Sequence, residues 1–250
     1  MQLNTELKMN GKAAMMKNYW PCVGVSVIVS LLTGGGGSVS TVNNLSNASD
    51  ITESVVEDTA TGVSNITDSF SLIPGWVGGV ALGLVVAIAI IVLIFSFFVC
   101  NVIEVGGNRF FIENRTSAPG AGLVFDGFRS GHYMNIVKTL FFRDLFVFLW
   151  GCLLIIPGIV KGLEYMMVPY ILAENPAMDR KDAFALSKQM MDGEKANAFL
   201  LGLSFIGWYL LSVFTCGILA IFFVNPYEKA TFAELYAYNK EKAFREGWIH

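Results

Sequence analysis

Between Ile73 and Asn101 the chain carries no charged residue and is apolar almost without interruption. This run is longer than the roughly 20 residues that a helix needs to cross the hydrocarbon core of a bilayer. A helix on the surface of a soluble core keeps one polar face, and this one has none. Composition agrees. Of the 250 residues, 54% are hydrophobic and 15% charged, whereas a soluble domain carries about a quarter charged residues. The mean hydropathy is +0.56. These values exclude disorder and argue against a water-soluble domain. The expected fold class is all-α, a polytopic transmembrane helical bundle whose partner is the lipid bilayer.

The net charge of -3 shows no basic excess, so nucleic acid is not an expected partner. The placement of the charges says more. No Lys or Arg occurs between Lys17 and Arg109, and Asp50, Glu53, Glu57, Asp58 and Asp68 all fall inside that gap. Cys22, Cys100, Cys152 and Cys216 are far apart with no C-x-x-C spacing. Neither a zinc site nor a disulfide framework follows, and no metal or other cofactor is expected.

Topology follows from apolar runs and basic flanks. Residues 1–18, with Lys8, Lys12 and Lys17, read as a cytoplasmic segment and 19–33 as the first span; a signal peptide competes, but no A-x-A site follows. Residues 34–72 are rich in Gly, Ser, Thr and Asn and read as a flexible external loop. Its three Asn-x-Ser/Thr triplets are expected by chance in such a stretch. The second span is 73–101 and a cytoplasmic loop covers 102–134. Beyond it, four spans in all would leave Lys161, Arg180, Lys181, Lys188 and Lys195 outside, against the positive-inside tendency. Six spans are preferred: a hairpin over 135–174 turning at 157–158, a cytoplasmic surface helix within 175–195, a hairpin over 196–238 turning at 216–217, and a cytoplasmic tail over 239–250. Both termini are then inside.

The two hairpins echo each other. Trp150 precedes Gly158 as Trp208 precedes Gly217, and each following helix carries Pro-Tyr-x-x-Ala, at Pro169 and at Pro226. Both prolines should kink their helices and free carbonyls that neighbours must satisfy. Gly75, Gly79, Gly83 and Ala87 recur at every fourth position of the second span. Such a stripe lets another backbone approach, within the bundle or, as the alternative, in self-association of two copies. In the surface helix Asp179 should cap the start and Gly193 end the last turn.

Arg143-Asp144-Leu145-Phe146, Leu149-Trp150, Ile155-Ile156-Pro157-Gly158-Ile159, the run Pro169 to Pro176, Leu203 to Trp208 and Pro226-Tyr227 resemble a bacterial integral-membrane family, catalogued as domain of unknown function nine-seven-five. The likeness covers about Val105 to Tyr238, with a weaker match around Lys8 to Trp20. It implies a multi-pass protein of the bacterial plasma membrane with no established activity. The loop 34–72 carries none of the pattern.

Charges inside a span are costly and mark structure or function. The candidates are Arg143 and Asp144 in the third span, Lys161 and Glu164 in the fourth, and Glu228 and Lys229 in the sixth. Lys161 and Glu164 are three apart and can pair within one turn. Arg143 and Glu228 have no such local partner. A cross-helix network of Arg143, Asp144, Glu228 and Lys229 would pair opposite charges, either to fix helix register or to line a polar cavity for an ion, a proton or a lipid headgroup. Catalytic parts are scarce. The only histidines are His132 and His250, so no Ser-His-Asp set can form. Asp144 and Glu228 could face each other, but Arg143 and Lys229 beside them should keep both ionised, which does not suit a shared proton. The glycines of 118–131 lack a phosphate-loop pattern. No catalytic residue is expected. The leading expectation is a non-enzymatic membrane protein assisting transport or envelope maintenance, the second a small secondary transporter or immunity-type exporter, and a lipid-active enzyme comes last.

Overall fold

The computed structural model describes residues 2–32, 75–215 and 217–248, with the side chains of 75–82, 89–97 and 155 outside that description. The loop 34–72, Cys216 and His250 therefore lie outside the described residues. Every regular element among them is helical. The chain forms two compact units, Met1–Gly35 with Phe98–His250, and Gly36–Phe97. In the smaller unit the described part is helix from residue 75, where Leu84, Val85, Val86 and Ile88 are exposed.

In chain order the helices are α1 (Gln2–Lys17), α2 (Tyr19–Leu32), α3 (Gly75–Asn114), a 3-10 turn (Ala121–Phe125), α4 (Asp126–Arg129), α5 (Tyr133–Leu153), α6 (Ile155–Glu164), α7 (Val168–Glu174), α8 (Arg180–Met190), α9 (Lys195–Phe214), a π turn (Ala220–Val224) and α10 (Asn225–Arg245). The core of the larger unit is built on α10, which buries Ala230, Thr231, Ala233 and Leu235 among others. Residues 2–17, assigned above only to a cytoplasmic segment, form a helix along α10. Its Leu7, Gly11, Ala14 and Met15 are buried, and a Cβ at Gly11 would stand 2.8 Å from the Thr231 backbone. The small residue sets the closeness of this packing.

Between α1 and α2 the chain bends by 103°. Asn114, at the end of α3, holds the bend. Its amide donates to the Ala14 carbonyl at 2.8 Å and to Cys22 Sγ at 3.4 Å, while its Oδ1 accepts from the Asn18 amide at 2.9 Å. The first apolar helix thus runs beside 100–114 of α3, a stretch that the sequence reading divides between the end of the second span and a cytoplasmic loop. Two glycines permit it. A Cβ at Gly107 would lie 2.6 Å from Val29 Cγ2, and one at Gly106 would lie 1.8 Å from the Val124 carbonyl oxygen.

The first hairpin reverses at Leu154, whose backbone is extended, and not at Pro157-Gly158. Pro157 sits in the first turn of α6, where a missing N–H costs no helical bond. A Cβ at Gly158 would stand 2.6 Å from the Gly151 Cα, so Gly158 serves the contact between the two arms. The second hairpin turns through Gly217, at φ +82, whose N–H donates to the Ser212 carbonyl at 2.9 Å. Pro169 and Pro226 fall at different departures from α-helical geometry. Pro169 starts α7 after a break, and the Tyr165 carbonyl it cannot serve accepts from Val168 N–H at 3.2 Å. Pro226 follows the π turn, and the Phe222 carbonyl four residues before it accepts from the Tyr19 hydroxyl at 3.0 Å.

By length and composition, one helix among the described residues, α9, is apolar enough to cross a membrane, or two if the bent pair α1–α2 counts as one span. The count of six finds no such support, for identifiable reasons. Lys138, Arg143 and Asp144 interrupt α5, the stretch 155–174 is broken between α6 and α7, and Glu228, Lys229 and Glu234 interrupt α10.

The close approaches predict unequal glycine substitutions. Gly106→Ala should lower unfolding stability by about 1–3 kcal/mol through overpacking on Val124. Gly24→Ala meets open space and should not destabilise, since alanine is the better helix former. Thermal unfolding of both variants in detergent checks this.

Candidate functional site

On α3, Asn101, Glu104 and Asn108 are spaced three and four apart and share one helical face. Arg143 on α5 reaches that face. Its Nη1 donates to Glu104 Oε1 at 3.0 Å and its Nη2 to Oε2 at 3.1 Å, a bidentate pair. Its Nε donates to Asp144 Oδ1 at 2.8 Å. The Arg143 side chain is 16% exposed, Glu104 25% and Asp144 46%. Burial alone would push the Glu104 carboxyl up. The Arg143 charge and hydrogen bonds, with the Lys229 charge behind them, outweigh it and hold the carboxyl below the usual carboxylate range.

Glu228, one helical turn into α10, pairs with no cation among the described residues. It accepts a hydrogen bond from the Tyr209 hydroxyl of α9. That hydroxyl is also 3.2 Å from Asn225 Oδ1, and the Asn225 amide donates to Ser30 Oγ of α2 at 3.5 Å. Tyr170, on α7, is buried and stacks on Tyr236 of α10, with ring centroids 5.3 Å apart. Of the four residues expected to form one network, Arg143 and Asp144 bond to each other and Glu228 bonds to Tyr209. No ion pair links Arg143 or Asp144 to Glu228 or Lys229 among the described residues. Asp144 and Glu228 hydrogen-bond to different groups, Arg143 and Tyr209.

Lys161 and Glu164 form a separate site. Lys161 Nζ lies 2.6 Å from Glu164 Oε2, and Lys195 Nζ 2.7 Å from Oε1, so one buried carboxylate binds two lysines. The Ser187 hydroxyl donates to the Glu164 carbonyl at 2.7 Å. These bonds clamp α6, α8 and α9 together. Asp179 caps α8 by accepting from Lys181 N–H at 3.0 Å, and Gly193, at φ +76, follows its end.

Glu104 is the residue that the sequence reading missed. The signal was present as the Asn101, Glu104, Asn108 stripe directly after the uncharged run. Glu174 and Glu234 were missed as well: Glu174 accepts from the Tyr236 hydroxyl at 2.8 Å, and Glu234 pairs with Arg115 at 3.0 Å. Of the small-residue stripe, a Cβ at Gly83 would meet open space and Ala87 is exposed. The surroundings of Gly75 and Gly79 lie outside the described residues. In the glycine-rich loop, a Cβ at Gly127 would stand 2.6 Å from Val102 Cγ1, so that glycine packs α4 on α3. Among the described residues no group of His, Cys, Asp and Glu could hold a metal ion.

The fold and the cluster define an all-helical protein that ties its helices together through ion pairs between them. The chain belongs to the family described as "Protein of unknown function (DUF975)", whose profile matches residues 13–242. No curated protein and no solved structure matches it.

Removing one partner of the bidentate pair leaves the other charge poorly solvated. Arg143→Ala and Glu104→Gln should each cost about 3 kcal/mol of stability, and the double variant should cost much less than the sum of the two. Denaturant or thermal unfolding of the four proteins in a double-mutant cycle measures the coupling.

Proposed function

We propose that this is a multi-pass integral protein of the bacterial plasma membrane with six spans and both termini cytoplasmic, non-enzymatic, assisting transport or envelope maintenance. One observation carries the reading. The hairpin arms at 145–160 and 196–224 contain no charged residue, yet they expose Phe148, Leu153, Ile156, Phe214 and Ile218, with Ile156 at 75% and Phe214 at 85%. Large apolar side chains exposed in such number are costly to leave in water, and lipid is the solvent that suits them. Trp150, Trp208 and Trp20 are exposed as well, as expected of side chains at an interface. The basic residues of 109–129, 180–195 and 240–245 then share the cytoplasmic side.

A second reading, a small secondary transporter or immunity-type exporter, is favoured by the charged side chains Arg143 and Glu228 that the third and sixth spans would carry between helices, since intramembrane charges mark the sites where transporters hold their cargo. Self-association through the stripe from Gly75 to Ala87 fits either reading.

The protein should stay in the membrane fraction after an alkaline wash. With the four native cysteines replaced by serine, Leu154→Cys should be labelled in intact cells by a membrane-impermeant maleimide, and Lys188→Cys only after permeabilisation. Release by the wash would overturn membrane insertion. Retention with Leu154→Cys unlabelled would overturn the six spans alone.

A further inference from the structure

A cavity of about 370 Å³ lies between α1, the residues that follow α3, and α10. That volume falls within the range of small-ligand sites, roughly 300–1,000 Å³. Its charged lining is Lys17 of α1, Arg115 just beyond α3 and Glu234 of α10, with Asn10 and Thr116 beside them. Two cations therefore face one carboxylate. Glu113, two residues before Arg115, is turned away to Arg109 at 3.2 Å. Two further cavities that Arg115 lines have no such excess. One sets Glu174 and Glu241 against Arg115 and Lys240, the other Glu6, Glu234 and Glu241 against Arg115 alone.

Neither cation is saturated. Lys17 Nζ donates to the Thr116 carbonyl at 3.0 Å, which uses one of its N–H donors. Arg115 Nε stands 3.0 Å from Glu234 Oε1 but is buried without an aligned hydrogen bond, and the rest of the guanidinium has no partner among the described residues. A guanidinium in that state is commonly met by water or an ion from outside the chain. Both cations are also held in place by neighbours in sequence. Asn114, adjacent to Arg115, donates to the Ala14 carbonyl at 2.8 Å, and Asn18, adjacent to Lys17, donates to the Pro119 carbonyl at 3.0 Å. The bonds that hold the bend between α1 and α2 thus fix the two charges on one cavity, and a site fixed in advance spends little on ordering when it binds.

We propose that this cavity is a phosphate-binding site. Arg115 holds two anionic oxygens through its guanidinium fork, Lys17 supplies a second positive charge, and Glu234 orients the guanidinium from its Nε edge. The phosphate is that of a phospholipid headgroup or of a soluble phosphate compound. The site itself does not depend on a membrane. Its lipid source rests on the membrane-embedded reading above, which puts Lys17 at the cytoplasmic end of the first span, level with the inner headgroups.

Thermal unfolding of the full-length protein in a non-ionic detergent, at an ionic strength fixed with sodium chloride, tests the site. The midpoint should rise and then level off as either inorganic phosphate or dihexanoyl phosphatidic acid fills it. Arg115→Gln and Lys17→Gln should each weaken that binding by about tenfold, the loss of one charged hydrogen bond. Lys12→Gln removes an exposed lysine of the same helix that does not line the cavity, and should bind as the natural protein does. The general salting action of phosphate is common to all the variants. No levelling with either probe, an unchanged response in Lys17→Gln, or an equal loss in Lys12→Gln overturns the inference. If Arg115→Gln does not fold, the exposed Lys17 decides alone. Saturation by phosphatidic acid at a tenfold lower concentration than by inorganic phosphate assigns the lipid source, and comparable concentrations assign the soluble one. Dihexanoylglycerol, which has no phosphate, should leave the midpoint unmoved, and an equal response to it overturns the site. A protein that resists the alkaline wash but binds neither probe loses this inference and keeps its place in the membrane. One that is washed out but binds phosphate loses only the latter.

Discussion

An arginine between apolar helices must find a carboxylate, because the alternative is an uncompensated charge away from water. Arg143 meets that requirement with Glu104, and much of the larger unit follows from the pairing. It fixes α5 against α3 at one register, since a bidentate contact tolerates little sliding. With α3 held, the chain after it folds back, with Gly127 against Val102 and Gly106 beneath Val124. Glu164 repeats the device with two lysines and clamps α6, α8 and α9. The few charges in this chain act as fasteners between helices, and their scarcity makes each one consequential.

The second constraint is how closely backbones approach. Gly11 against Thr231, Gly106 and Gly107 against the 3-10 turn and α2, and Gly158 against Gly151 each occupy a place where a side chain would collide. Small residues at such places let the helices pack backbone against backbone. The glycines that do this work are not those with the most regular spacing. The four-residue stripe from Gly75 to Ala87 is conspicuous in the sequence, yet a side chain at Gly83 would meet nothing, while the isolated Gly158 is packed on backbone.

The helical class and the two ends of α8 were legible because they depend on local chemistry. Asp179 and Gly193 bracket α8 through a side-chain bond and a left-handed backbone that neighbours in the chain decide. The Lys161–Glu164 pair was legible for the same reason, since three residues on a helix fix the distance. Lys195 as its second lysine was not, lying 31 residues away. The hairpin turn was misplaced by three residues: proline and glycine signal a turn locally, but here Pro157 starts a helix and Gly158 faces its partner arm. The prolines likewise did not tell what form the chain takes, because a break or a π turn depends on which neighbour satisfies the freed carbonyl, Val168 in one case and Tyr19 in the other.

By itself the sequence determined that the chain is helical and rich in uncharged apolar stretches. Those properties are sums over local composition and spacing, and they do not require knowing which residues meet. Only the tertiary structure decided that Arg143 pairs with Glu104 and not Glu228, that Glu228 faces Tyr209, and that the first apolar helix lies beside 100–114. The physical reason is shared. A charged side chain or a bare backbone is indifferent to sequence distance and takes the partner that packing brings within about 3 Å, the range of a strong hydrogen bond. That choice is made between helices, not along them.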